Sequence, residues 1–368
     1  MKVVITCGGT GGHITPALAI ADIIKENDPR AQILFVGGER GMEKELVGQA
    51  GYDIRLLAVQ GISRKLTFEN LKAIWRATRA VKHARELLSE FGADIVIGTG
   101  GYACYPTLRA AVELGIPAAV HESNAVPGLA VRMLAVRLDR VWLNFESACA
   151  RLSPKAKCLV VGNPLPRGYR VPEPIKLPRR KEQRFLLSFG GSLGATQINR
   201  AVLDLMEKER ENKDTFHLHA TGKREFDGVY AEFCARGFGR CEHLSVVSFI
   251  TPMSSYMAAA DLVICRAGAM SISELAALGK PSILIPSPNV TGNHQYENAR
   301  ALAQKGAAVL LEEKNIAELS ALVPSLLRDS ERLNRMSSAI RSFHRADVNA
   351  RIWQDVVDLI KNKKKSGN

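Results

Sequence analysis

The seven cysteines of this 368-residue chain (Cys7, Cys104, Cys149, Cys158, Cys234, Cys241 and Cys265) are odd in number, scattered and never spaced C-x-x-C. That excludes a disulfide framework and a cysteine zinc site, and leaves most of the thiols as small buried hydrophobes. No apolar run approaches the roughly 18 residues that cross a bilayer. The opening KVVIT leads into a glycine loop with no small-residue cleavage site behind it, which predicts a chain that stays on the cytoplasmic side. The nucleotide-kinase loop G-x-x-x-x-G-K-[ST] is missing, and so is a clean G-x-G-x-x-G with an acidic residue about 20 positions on. Neither a zinc finger nor an aromatic RNA-binding signature occurs, so nucleic acid ranks last among partners.

What is present is a globular composition, 46% hydrophobic and 24% charged, with a net charge of +13. With nucleic acid set aside, that charge points to phosphorylated substrates or an anionic membrane surface. Glycine is concentrated. Residues 7–13 read CGGTGGH, 98–102 GTGGY and 190–195 GGSLGA. Each cluster follows a short apolar run such as VVIT, IVI or FLLSF, the pattern of a buried parallel strand. Helical spacing follows, as in PALAIADIIKEN, which is expected to begin near Pro16. Strands alternating with helices predict an α/β fold with parallel sheets.

The stretch 164–184 carries five prolines and seven Lys/Arg and reads as a linker. Beyond it the pattern restarts, and 185–202 can be laid beside 3–20 as strand, glycine loop and helix. The expected organisation is an N-terminal domain 1–163, the linker 164–184, a C-terminal domain 185–340, and a closing helix with a basic tail, 341–368, that packs back on the first domain. Ligands of such sheets bind beyond the carboxyl ends of the strands, so the glycine loops are expected to face a cleft between two Rossmann-like domains. Amides of a glycine turn before a helix suit phosphate.

Individual residues carry two readings each. His13, at a helix start, is either a packing histidine or a general base. HESN at 121–124, just after a strand, is either a helix-capping turn or a sugar-contacting group. Glu274, in RAGAMSISE at 266–274, is either a solvated helix carboxylate or the acceptor for a ribose diol. Residues 62–88 hold seven Lys/Arg interleaved with Leu66, Phe68, Leu71, Ile74 and Trp75, which is either a surface helix or a membrane-surface element.

Taken together, GGTGGH, GTGGY, HESN, GNP, GGSLGA and RAGAMSISE, in this order and over residues 1 to about 350, resemble the MurG family of peptidoglycan glycosyltransferases. The resemblance implies the glycosyltransferase B-type fold and transfer of N-acetylglucosamine, with inversion, from UDP-N-acetylglucosamine to the 4-hydroxyl of N-acetylmuramoyl-pentapeptide on undecaprenyl diphosphate. It implies no cofactor and no essential metal; the Asp-x-Asp pair of metal-dependent transferases of the other major fold is absent. It implies a peripheral place on the cytoplasmic side of the cell membrane, with other cell-wall enzymes as partners. The second domain would hold the donor through the Ile250 backbone at uracil, Glu274 at the ribose, Ser192 with Ala269, Met270, Ser271, Ile272 and Ser273 at the diphosphate, and Gln295 at the sugar. Thr10, Gly11, Gly12 and Asn124 match further donor positions. Gly100, Gly101 and Tyr102 would lie on the acceptor side. His13 would be the base, with Glu122 the alternative. Where the family reads GNP-x-R, Pro166 stands here, and Arg167 follows one residue late. The competing readings are a related lipid glycosyltransferase and a UDP-N-acetylglucosamine 2-epimerase of the same fold.

Overall fold

The computed structural model describes residues 1–9, 11–39, 41–59, 68–191 and 194–366, with the side chains of 68–77, 291, 364 and 366 left aside. Two units result: Met1–Pro166 joined by Arg345–Asn368, and Arg167–His344.

In the first unit seven strands form one sheet: β1 (Lys2–Thr6), β2 (Gln32–Gly38), β3 (Asp53–Leu57), β4 (Ile95–Gly98), β5 (Ala118–Glu122), β6 (Arg140–Leu143) and β7 (Cys158–Val160), in the order β3-β2-β1-β4-β5-β6-β7. Every pairing is parallel. Val3, Val4 and Ile5 of β1 are fully buried, because helices cover both faces of a parallel sheet and leave no side for polar residues. The order reverses between β1 and β4. Their carboxyl ends lead into CGGTGG and TGGY, so both glycine loops of this unit meet at the switch point, where ligands of open α/β sheets bind.

The helix after β1 runs Gly11–Asn27. It starts five residues before the expected Pro16, so Gly11, Gly12 and His13 form its first turn. Pro16 is the sixth residue of this helix, past its first turn, so the Gly12 carbonyl forgoes its helical bond. His121 and Glu122 lie within β5 rather than after it.

The closing helix, Val348–Ser366, packs Val348, Ile352 and Val356 into the core beneath β1 and β4. Asp355 accepts from Trp142 Nε1 at 2.6 Å and Arg140 Nε at 2.9 Å. Asp355→Asn keeps the shape but turns a donor toward one of these donors. It should destabilise the chain by about 1–2 kcal/mol, read as a lower denaturant midpoint.

The second unit repeats the winding. Its strands β8 (Arg184–Phe189), β9 (Thr215–Ala220), β10 (Leu244–Val247), β11 (Leu262–Cys265), β12 (Ser282–Leu284) and β13 (Val309–Leu310) are ordered β10-β9-β8-β11-β12-β13, all parallel. Here the switch point lies between β8, which leads into GGSLGA, and β11, which leads into RAGAMS. The proline-rich stretch read as a linker is divided by the unit boundary. Its residues Arg167–Arg170 form a short helix packed on the helices Met253–Ala259 and Ala269–Leu278.

Candidate functional site

In the first unit the loops after β1 and β4 touch. Gly100 and Gly101 have φ of 106° and 92°, a left-handed conformation that favours glycine. A Cβ on Gly101 would strike the backbone of Gly8, and one on Gly100 would lie 2.6 Å from the His13 ring. The absence of side chains therefore allows two loops and an imidazole to share one small volume. A Cβ on Gly11 would meet nothing within 4 Å, so backbone at the helix start faces open space.

His13 Nδ1 lies 2.9 Å from the Gly8 carbonyl. A carbonyl only accepts, so Nδ1 carries the hydrogen and Nε2 keeps its lone pair. The Thr99 hydroxyl donates to the His13 carbonyl at 2.8 Å, tying the helix start to the second loop. The ring is half-buried. Tyr102 stands 59% exposed beside these loops.

Glu122 is differently placed. It is buried, and its oxygens accept from Asn124 N at 2.9 Å, Asn124 Nδ2 at 3.1 Å and Gly128 N at 2.7 Å. Three donors occupy the carboxylate, which shapes the turn. Of the HESN string, neither Ser123 nor Asn124 caps the next helix; Gly128 does, without a side-chain cap. His121 is fully buried, bonds the Gly162 carbonyl at 2.9 Å, and is pushed down to about 4 by burial. It is a neutral core residue.

Glu43 was not singled out from sequence. It is 1% exposed and accepts from Gly9 N at 3.2 Å and Gly38 N at 2.9 Å. The only sequence signal was the glycines around it: a Cβ on Gly8, Gly37 or Gly41 would collide with its side chain.

In the second unit the helix Ala269–Leu278 begins without a side-chain cap and without an acidic residue in its first turn. Such a terminus favours an anion. The side chains of Ala269, Met270, Ile272 and Ser273 are buried, so their backbone is what a ligand could meet. Ile250 is buried as well, 4% exposed. Glu274 lies one turn into this helix. Burial raises its carboxyl to about 7, opposed in part by a hydrogen bond from Tyr169. Tyr169 comes from the stretch read as linker, and a Cβ on its neighbour Gly168 would sit 2.9 Å from Ser254 Oγ. Tyr169 is the second residue that sequence reasoning missed. Arg167, at the start of the same short helix, is exposed. Gln295 accepts from Ser287 N at 2.9 Å, which holds the loop after β12 and turns its amide donors outward from that bond.

Gly191 and Gly194 adopt φ of 103° and 88°. Beneath them runs a buried polar chain. Ser188 Oγ lies 2.8 Å from both His217 Nε2 and His219 Nδ1, and Asn199 joins His219 Nε2 at 3.1 Å to the Thr221 carbonyl at 3.1 Å. Burial and His217 push His219 down to about 3, so it is neutral and serves as scaffold. Thr10, Ser192 and Leu66 lie outside the described residues, as do the side chains of Phe68, Leu71, Ile74 and Trp75, whose backbone belongs to the helix Phe68–Phe91.

The N-terminal domain of glycosyltransferase family 28 matches residues 3–143, and its C-terminal domain matches residues 185–352. A UDP-N-acetylglucosamine–N-acetylmuramyl-(pentapeptide) pyrophosphoryl-undecaprenol N-acetylglucosamine transferase of Acetivibrio thermocellus is 40% identical over 369 residues, covering 99% of each chain. The chain belongs to the MurG family. A MurG relative from Bacillus subtilis, of the same name, is 36% identical over 98% of this chain and 100% of its own. The crystal structure of Acinetobacter baumannii MurG superposes with a TM-score of 0.77 at 27% identity, over 98% of this chain and 99% of that one. A UDP-GlcNAc 2-epimerase from Neisseria meningitidis, bound to UDP-GlcNAc, shares the fold with a TM-score of 0.68 at 14% identity, over 97% of this chain and 100% of that one. The two parallel-sheet α/β domains match the B-type fold that the family resemblance implied.

Proposed function

We propose that this chain transfers N-acetylglucosamine from UDP-N-acetylglucosamine to the 4-hydroxyl of undecaprenyl-diphosphate-linked N-acetylmuramoyl-pentapeptide, with inversion. The observation that carries the residue assignment is His13. Its Nδ1–H is committed to a backbone carbonyl, so its Nε2 is a bare base at the switch point of the first unit. In one in-line displacement the acceptor hydroxyl gives its proton to Nε2. Its oxygen bonds the anomeric carbon, and the bond to UDP breaks with the electron pair leaving on the diphosphate. Backbone amides at Gly191 and the start of the helix Ala269–Leu278 stabilise that growing charge. Glu274 accepts from the ribose hydroxyls, the Ile250 backbone meets uracil, and Gln295 donates to the sugar. Arg167, one residue beyond the place where Pro166 replaces the family arginine, supplies a cation near the diphosphate. Gly11, Gly12 and Asn124 border the reacting sugar, with Glu122 as the residue that positions Asn124. Gly100, Gly101 and Tyr102 border the acceptor diphosphate.

The test is incubation of the purified chain with radiolabelled UDP-N-acetylglucosamine and a short-chain lipid-linked acceptor, chelator present. Labelled disaccharide lipid is expected. Donor turnover to the 2-epimer without transfer would favour the epimerase reading, and activity restored only by a divalent cation would overturn the metal-free mechanism.

A seat on an anionic membrane surface is the finer part of the reading. Among the described residues no helix is long and apolar enough to cross a membrane. Leu129 and Met133 of the helix Leu129–Leu134, and Val136 in the turn just past it, are 60%, 54% and 47% exposed, and exposed Arg132 and Arg137 adjoin them in sequence. Apolar side chains rimmed by cations suit an acidic lipid interface. Replacing the three apolar residues by serine should weaken sedimentation with phosphatidylglycerol vesicles by more than tenfold, since tenfold is about 1.4 kcal/mol, less than two buried methylenes at about 0.8 kcal/mol each. Transfer to a detergent-soluble acceptor should be unaffected.

A further inference from the structure

We propose that Glu43 supports His13 through a single peptide group, as a positioning residue that never touches substrate. This rests on the reading of His13 as the base. The Gly8–Gly9 peptide has two ends. Its N–H, from Gly9, donates to Glu43 Oε2 at 3.2 Å, and its carbonyl, from Gly8, accepts from His13 Nδ1 at 2.9 Å. One amide plane thus joins a carboxylate to an imidazole.

The arrangement is built rather than incidental. The other Glu43 oxygen accepts from Gly38 N at 2.9 Å, and the side chain is 1% exposed. Room for it exists because Gly8, Gly37 and Gly41 carry no Cβ; one on Gly8 would lie 2.9 Å from Oε1 and one on Gly37 2.6 Å from Cγ. Gly101 is pressed against the same Gly8 backbone, so the peptide cannot rotate away.

A carboxylate at the N–H end of an amide polarises it and makes the carbonyl oxygen more negative. That does two things for His13. It holds the hydrogen on Nδ1, which keeps Nε2 available, and it stabilises the imidazolium formed when Nε2 takes the acceptor proton. The proton goes to Nε2 and stays there until product leaves. This is the logic of a serine-protease triad, in which a buried carboxylate orients and supports a histidine, with a peptide interposed. Among the described residues the thiols of Cys7 and Cys104 are packed here too, with the Glu122 carboxylate acting on Cys104. Burial raises both, Cys104 to about 12, so both are neutral. Exposed Tyr102 lies at the mouth of the loops.

The test compares Glu43→Gln and Glu43→Asp in the full chain, by steady-state kinetics and by NMR titration of the labelled His13 ring, assigned with His13→Asn. E43Q should lower kcat about tenfold with donor KM unchanged, since second-layer partners of a working histidine act at about that scale. It should also move the His13 midpoint to lower pH by about half a unit, through loss of a nearby negative charge. E43D keeps the charge but not the reach, and should stay closer to the parent in midpoint. A purely structural role also impairs E43Q, because its amide turns a donor toward one of the two backbone N–H groups that Glu43 accepts from, but it leaves the His13 midpoint where it was; an E43Q with the parental midpoint overturns the proposal. Should E43Q not fold, the ring nitrogens of the parent decide: hydrogen on Nδ1 in the neutral form is expected, and hydrogen on Nε2 overturns it. A parental kcat in H13N would instead defeat the base assignment, and the midpoints would still report whether Glu43 and His13 are coupled.

Discussion

His13→Asn lowers kcat by about 10²- to 10⁴-fold, the usual worth of a positioned general base, while UDP-N-acetylglucosamine binds as before. Asparagine matches the reach of Nδ1 and can donate to the Gly8 carbonyl, so the loop keeps its shape and the loss is confined to the proton acceptor. Glu122 does not take over, because its carboxylate is filled by three donors from Asn124 and Gly128. The measurement is initial rate at saturating donor and acceptor, with donor affinity from equilibrium titration of UDP. A variant that retains more than about a tenth of parental kcat would move the base elsewhere. The acid limb of the rate profile should vanish with the imidazole, since only the neutral ring accepts a proton.

Glu274→Gln raises the donor KM about 10- to 30-fold, the cost of replacing a charged acceptor by a neutral one in a site that bonds hydroxyls. It also stabilises the empty protein at alkaline pH. The parental carboxyl is raised from 4.5 to about 7 by burial, so folding favours its protonated form. That preference is complete below about pH 4.5 and is lost as pH rises through about 7. Above that the ionised group sits in a place that disfavours it, at a cost of about 3 kcal/mol relative to a neutral side chain. Urea unfolding should therefore show E274Q more stable than the parent at pH 8 and equal to it at about pH 4. Equal stability at both would mean that Glu274 is not strained in the empty site. Donor affinity of the parent should rise as pH passes through about 7, because the ribose diol needs the ionised acceptor, and that rise should be missing in the variant. Tyr169 donates to the same carboxylate, so a bound ribose either shares this acceptor or displaces the phenol.

Much of this was legible in the chain itself. The two-fold repeat of apolar run, glycine cluster and helix is a local signal with a period that parallel sheets impose, and it anticipated both sheets. His13, Glu274 and the glycine loops stood out because their motifs are contiguous. Other features were hidden for a physical reason. Glu43 lies 34 residues from the peptide it holds, and nothing local to RGMEKEL distinguishes it from a solvated helix carboxylate. Tyr169 sits in a proline-rich, basic stretch whose composition suggests a linker, and only its packing against the helix of Glu274 shows otherwise. Glu122 reads from its motif as part of a capping turn or of a sugar-contacting group, and its third donor becomes visible only when Gly128 folds back.

Sequence alone determined the α/β class, the duplication, the places of the glycine loops and the family, because these depend on periodicity and on contiguous residues. Tertiary structure decided which carboxylates are free, which are filled and which are held away from water. It also decided which histidine is a neutral core residue and which presents a bare nitrogen. Ionisation and hydrogen-bond roles are set by neighbours brought together from distant parts of the chain, and no spacing rule along the sequence contains them.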